Sequence, residues 1–343
     1  MYFTSDNASG AAPEIMAVIV TANDGFARSY GSDDLMVAVQ SRIRQIFDAP
    51  EAAVYLVATG TAANALALSL YCPPWGTVFA HTDAHIALDE CGAPEFYTNG
   101  AKLIGVDGAH GKMTPDTLTQ AIDNIGQGGV HGMQRGMVSI TNVTEAGTVY
   151  TPAEVAALAA VAKSYGLPCH LDGARFTNAL VASNASAADM TWAAGIDILS
   201  FGGTKNGCLG VEAVVIFDPA KAWEFELRRK RGGHLFSKHR YLSAQMLAYL
   251  TDDLWLRLAR HANAMGTRLA GGLIAKPGVQ MRHPVGANMM FPEWNTGTHA
   301  QLESQGAAYY RMNAQAGREA ARLVTSWSTN PEDVDAFLAA MPV

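Results

Sequence analysis

The sequence predicts an α/β protein, a large unit on a mainly parallel sheet followed by a smaller α+β unit. Apolar, β-rich runs at 54–57, 78–80, 103–106, 137–140, 167–171, 196–201 and 211–217 alternate with segments of helical spacing, the pattern of βαβ units covering both faces of one sheet. From about Arg240 the texture changes to longer stretches rich in Leu, Ala and Arg. The large unit is therefore placed at 1–240 and the small one at 241–343. With 343 residues, 49% hydrophobic and only 16% charged, the chain can bury a core of that size.

The elements follow in order. Residues 52–72 carry no formal charge, a length that could span a bilayer. Yet Thr59, Gly60, Thr61 and Asn64 cluster in the middle, so the stretch reads as a buried strand, a polar turn and a buried helix. A helix at 114–125 opens on Thr-Pro. Another at 151–165 has Thr151 to cap it, Pro152 at its first position, Glu154 in the first turn and Gly166 to stop it. The run at 167–171 ends in Asp172, and the runs at 196–201 and 211–217 flank a glycine-rich turn holding Lys205. In the small unit, strand-like runs at 280–283 and 287–291 precede a helix at 331–341.

Charge and cysteines narrow the function classes. A net charge of −7 argues against a phosphate-backbone footprint, so no nucleic-acid partner is expected. Cys72, Cys91, Cys169 and Cys208 stand far apart with no C-x-x-C pair, which is neither a disulfide framework nor a zinc cassette. No basic leader precedes an apolar stretch at the start. A cytoplasmic protein without membrane partner or metal is expected.

Four features carry chemistry. Lys205 lies between two buried strands, where burial favours the neutral, nucleophilic amine; an exposed hairpin lysine is the plainer alternative. Asp172 ends an apolar strand, the edge that faces the ligand crevice in an open α/β sheet, and there it could pair with a cationic ring nitrogen or simply form a turn. Thr59-Gly60-Thr61 opens a helix whose free N–H groups suit a phosphate. His85 opens a further helical segment and could stack on a ring, handle a proton or cap the helix. His81 and His85 at i, i+4 also resemble a metal pair, but no third ligand follows at a known spacing.

An early phosphate site, a mid-chain strand-end Asp and a lysine about thirty residues later form the layout of a pyridoxal-phosphate enzyme. The chain resembles the low-specificity L-threonine aldolases of the β-eliminating lyase group, pyridoxal-phosphate fold type I. The resemblance rests on Ser5-Asp6-Asn7, Tyr30-Gly31-Ser32-Asp33-Asp34, Thr59-Gly60-Thr61-Ala62-Ala63-Asn64, Ala84-His85 through Glu90, His170-Leu171-Asp172-Gly173-Ala174-Arg175, Ser200 through Lys205-Asn206-Gly207, and Arg322-Leu323-Val324-Thr325. It implies the fold of the aspartate aminotransferase superfamily and cleavage of β-hydroxy-α-amino acids such as threonine, allo-threonine or phenylserine to glycine and an aldehyde. Other β-eliminations or amino transfer on the same fold are the alternative.

Residue by residue, the resemblance implies that Lys205 carries the cofactor, Asp172 pairs with its ring nitrogen and His85 stacks on its face. Gly60, Thr61 and Thr204 would bind the cofactor, with Arg175 near both its phenolic oxygen and the substrate carboxylate. Ser5 and Arg322 would bind that carboxylate. Tyr30, Arg229 and Lys238 would reach the site of a neighbouring copy in a homo-oligomer, a dimer or tetramer with shared active sites. One departure stands out. Where many members carry Glu-Asn-Thr-His-Asn-Gly, this chain has Asn142-Val143-Thr144-Glu145-Ala146-Gly147, so the familiar histidine is missing. His85 is expected as the base, with His131 behind it.

Overall fold

A computed structural model describes residues 1–342. Its large sheet has seven strands: β1 (Ala53–Val57), β2 (Gly76–His81), β3 (Lys102–Val106), β4 (Gln134–Thr141), β5 (Cys169–Gly173), β6 (Ile198–Gly202) and β7 (Glu212–Ile216). They lie in the order β1-β7-β6-β5-β4-β2-β3. Every run expected as a strand in this unit is one. β2 through β6 are mutually parallel, and β7 runs antiparallel to both neighbours. The stretch 203–211 is too short for a crossover, so β6 and β7 meet as a hairpin.

Helices cover both faces, as alternation along the strands requires. Val54, Leu56, Leu171, Leu199, Ala213 and Val215 pack with α2 (Asp34–Ile46), α6 (Pro115–Asp123), α7 (Pro152–Ser164), α8 (Phe176–Ser183) and α10 (Arg240–Leu250). Ala53, Val57, Ile198, Val214 and Ile216 face the opposite layer, α3 (Gly60–Tyr71) and α9 (Ala222–Arg231). The uncharged stretch at 52–72 is β1, a turn and buried α3. α7 has the expected Thr151 cap, which Glu154 completes as a capping box, the two side chains bonding each other's backbone amides.

Past the hairpin, α11 (Leu254–Ile274) buries Trp255, Ala259, Ala262, Gly266, Leu269 and Leu273 at helical spacing. It packs against α8 on the large sheet and α13 (Pro331–Ala340) of the second sheet. That sheet is antiparallel, with β8 (Gln280–Met281), β9 (Met289–Met290), β10 (Pro292–Asn295), β11 (Tyr310–Met312) and β12 (Arg318–Val324). The chain start joins it. Phe3 donates to the Ala308 carbonyl and accepts from the Val324 amide, and its ring meets Phe337 edge-on at 5.2 Å.

Candidate active site

The carboxyl ends of the parallel strands and the start of α3 converge. In β5, Cys169 and Leu171 belong to the core beside α7, so His170 and Asp172 point the other way, toward α3. His170 is spent structurally, bonded to Ser139 and Ser200, with burial lowering its pKa to about 4. Asp172, buried, accepts from Asn64 Nδ2 (3.1 Å) and the Ala174 amide (3.1 Å). Asn64 also donates to Glu90 Oε1 (2.8 Å), which meets His85 Nδ1 at 2.9 Å. Four side chains, from β5, α3, the short helix His85–Leu88 and the bend after it, thus form one hydrogen-bonded line from strand end to imidazole.

Lys205 sits in the 3₁₀ turn Thr204–Asn206 of the β6–β7 hairpin, close enough that its charge bears on Asp6, His85 and Glu212. The turn is held from below. Glu212 accepts from the Gly203 amide (2.7 Å), and the Val211 amide donates to Thr204 Oγ1 (3.1 Å). Thr204 is therefore committed to the hairpin. Burial pushes the Glu212 carboxyl up to about 7 against those hydrogen bonds and the Lys205 charge.

Two arginines approach from the other side. Arg175, 4% exposed, forms a bidentate pair with Asp6 through Nε (2.7 Å) and Nη2 (3.0 Å). Burial would raise Asp6, but Arg175 outweighs it and holds the carboxyl below its usual range. Asn288 supports Asp6 at 3.2 Å. Arg322 lies on β12 with its guanidinium 5.4 Å from the Tyr310 ring, and its buried Nε has no partner. Burial and then the Arg175 charge pull the Arg322 pKa down. Glu145, half-buried, faces His85, Arg175 and Arg322 closely enough to act on all three.

At the start of α3, Thr59 caps by accepting from the Ala62 amide (3.2 Å), and a side chain at Gly60 would meet nothing within 4 Å. That end is open to an anion. A buried anionic acceptor at the strand end, an open helix N-terminus, a lysine on the intervening hairpin and an unpartnered guanidinium fit a phosphorylated ligand with a cationic ring, as pyridoxal phosphate is.

Other expected site residues lie elsewhere or are differently engaged. His131 is a correction. It is exposed in the turn Gly129–His131 before the amino end of β4, and eight residues of strand at ~3.3 Å each put it roughly 25 Å from the edge where Asp172 lies. Ser5 caps a short turn by accepting from the Asn7 amide at 3.2 Å. Tyr30 and Lys238 share a surface, where the Tyr30 ring lies 4.8 Å from Lys230 Nζ and its amide donates to Ser237. Arg229 turns inward to the Leu56 carbonyl and Glu226. His81 spends both ring nitrogens on the Gly108 carbonyl and the Asp83 amide. Asp6, Asn64, Glu90 and Glu212 were given no role by sequence. All but Glu212 stood inside recognised segments, yet nothing local marked the role of Asp6, its arginine lying 169 residues away.

Comparison with known proteins gives one answer. The sequence profile of the beta-eliminating lyases matches residues 3–294. The low-specificity L-threonine aldolase of Pseudomonas aeruginosa is 40% identical over 97% of this chain and 94% of its own length. That of a second Pseudomonas strain is 39% identical over 95% and 93%. The threonine aldolase structure of Leishmania major superposes with a TM-score of 0.93 at 29% identity, covering 98% of this chain and 97% of that one.

Proposed function

The chain belongs to the beta-eliminating lyase family, and from that premise we infer a pyridoxal-phosphate-dependent aldolase that cleaves threonine and related β-hydroxy-α-amino acids to glycine and an aldehyde. The observation that carries this reading is the line Asp172–Asn64–Glu90–His85 at the strand edge beside Lys205. Lys205 would hold the cofactor covalently, Asp172 its ring nitrogen, His85 its ring face, and the amides of Gly60 and Thr61 its phosphate. When bound, the cofactor supplies an electron sink for the pair left at Cα.

The remaining work falls to the chain's own groups. Arg322, with donors to spare, receives the substrate carboxylate as a two-pronged clamp, and Ser5 lies near enough in sequence to the Asp6–Arg175 pair to assist. Arg175, fixed by Asp6, keeps a positive field over the same pocket. His85 takes the β-hydroxyl proton on its free nitrogen as the Cα–Cβ bond breaks. Glu145 stands in the segment where relatives carry a histidine, and it sets which hydroxyl configuration is favoured. Tyr30 and Lys238 belong to the site of a neighbouring copy, so the working unit is a dimer or a tetramer. Four unpaired cysteines agree with a reducing, cytoplasmic setting. Among the described residues no helix is long and apolar enough to cross a membrane.

The test is a visible spectrum before and after borohydride, then DL-threonine or phenylserine with detection of aldehyde and glycine. A chromophore reduced onto Lys205, aldehyde release, and loss of both in Lys205→Ala are expected. Full turnover in Lys205→Ala overturns the reading. Pyruvate or a keto acid in place of aldehyde assigns the site to elimination or amino transfer.

A further inference from the structure

We infer that Glu90 is a positioning residue that fixes His85 with Nδ1 as donor and Nε2 as the proton acceptor facing the site, and that Asn64 clamps Glu90 in that place. The Glu90 side chain is wholly buried, and its Oε1 receives both Asn64 Nδ2 (2.8 Å) and His85 Nδ1 (2.9 Å). Burial and the Asp172 charge push the Glu90 carboxyl up, and the hydrogen bonds from His85 and Asn64 oppose them. In its ionised form the carboxylate only accepts, so the hydrogen between it and the imidazole belongs on Nδ1. The opposite tautomer would set two lone pairs against each other at 2.9 Å. A neutral His85 has one ring hydrogen, so Nε2 keeps its lone pair, on a side chain that is 28% exposed while its Glu90 partner is fully buried.

Asn64 makes the arrangement rigid. Its amide nitrogen has two hydrogens, one directed to Glu90 and one to Asp172 (3.1 Å). Turning the amide over would aim its oxygen at both carboxylates, so its orientation is fixed by the pair it joins. The imidazolium that forms when His85 accepts a proton is then held by a carboxylate already in contact, the logic of a base oriented by a buried acid. The charges facing His85 are Glu90, Asp172, Lys205 and Glu145. The Glu90 hydrogen bond raises its proton affinity most, burial and Lys205 oppose, and the two other carboxylates assist.

The inference rests on the aldolase reading only for what Nε2 accepts. Histidine-¹⁵N spectra of the holoenzyme and of the cofactor-free protein, with His85 assigned through His85→Asn, report its tautomer and titration directly. The Nδ1–H tautomer is expected in the wild type. In Glu90→Gln, His85 is expected to bind its proton about tenfold more weakly, one pKa unit. The acid limb of kcat should move down in pH by the same amount, with KM held. Glu90→Asp, which keeps the charge, should retain most of the proton affinity. An Nε2–H tautomer in the wild type overturns the inference whether or not the variants fold, and so does an unchanged His85 titration in Glu90→Gln. An enzyme with the expected tautomer and no aldehyde release overturns the aldolase reading alone.

Discussion

At the scale of the residue, the two site arginines differ by what they already hold. Arg175 has spent its Nε and Nη2 edge on Asp6, whereas Arg322 has an unpartnered, buried Nε beside a second guanidinium. A carboxylate arriving there relieves both the repulsion and the lost hydration. Arg322→Lys removes the bidentate geometry, and a hydrogen bond to a charged group is worth about 1.5–3 kcal/mol. KM for threonine should therefore rise about 10- to 100-fold while the absorbance of bound cofactor stays as in the wild type, read by steady-state kinetics and a spectrum of the same sample. Asp172→Asn should do the reverse, losing most of kcat while retaining the cofactor. Lys205, Asp172, His85 and Arg322 could be proposed from sequence because each stands in a short segment whose type and neighbours mark it. Asp6 could not, since its contact with Arg175 is made across the fold, and Glu90, though it stands in the His85 segment, gained no role because its burial and its bond to Asn64 show only in the fold. His131 misled because nearness to β4 in sequence does not say which end of the strand is near.

At the scale of the element, the β6–β7 hairpin sets where Lys205 stands. A Cβ at Gly202 would lie 2.3 Å from the Ala174 carbonyl oxygen, and one at Gly203 2.7 Å from that of Val211, backbone atoms that cannot swing aside. Gly202→Ala must push the turn away from the sheet; about 1–3 kcal/mol of stability should go, with weaker retention of pyridoxal phosphate on dialysis. Glu212, beneath the same turn, adds a pH dependence. With its carboxyl pushed up to about 7 by burial against an ordinary 4.5, the native state binds this proton more tightly than the unfolded chain. The resulting stabilisation is complete below about 4.5 and is lost as pH rises through about 7. Glu212→Gln should flatten that loss, seen as urea midpoints that differ less between pH 4.5 and pH 8 than those of the wild type. The seven strands and the caps of α6 and α7 were readable because apolar runs and Thr-Pro starts are local signals. β12 was not: Arg318-Glu319-Ala320-Ala321-Arg322 is built of good helix formers, and pairing with β9, β10 and β11 overrides that preference.

At the scale of the whole molecule, the surface around residues 23–30 is the part that a single chain leaves unexplained. Phe26 is fully exposed, with Val20 and Met16 of α1 (Pro13–Thr21) also bared nearby in sequence. Beside them an open groove runs between α1 and α10, lined by Val18, Ala22, Leu247 and Leu254. Large apolar groups gathered in one region mark an interaction surface. Under the proposed oligomer its occupant is a second copy of this chain, because Tyr30 and Lys238, two of the residues expected to act across a subunit boundary, adjoin the same loop, with Lys230 beside the Tyr30 ring. An isologous interface would bury the two loops against each other and carry Tyr30 toward the neighbouring pocket. Phe26→Asp places a charge where that contact forms, and it lies on no core element of its own chain. Sedimentation velocity should therefore show this variant falling to monomers with far-UV and thermal signatures of an intact fold. Aldehyde release should fall with the dimer fraction and return at high protein concentration. A Phe26→Asp protein that stays oligomeric and fully active would place the shared boundary elsewhere on the molecule.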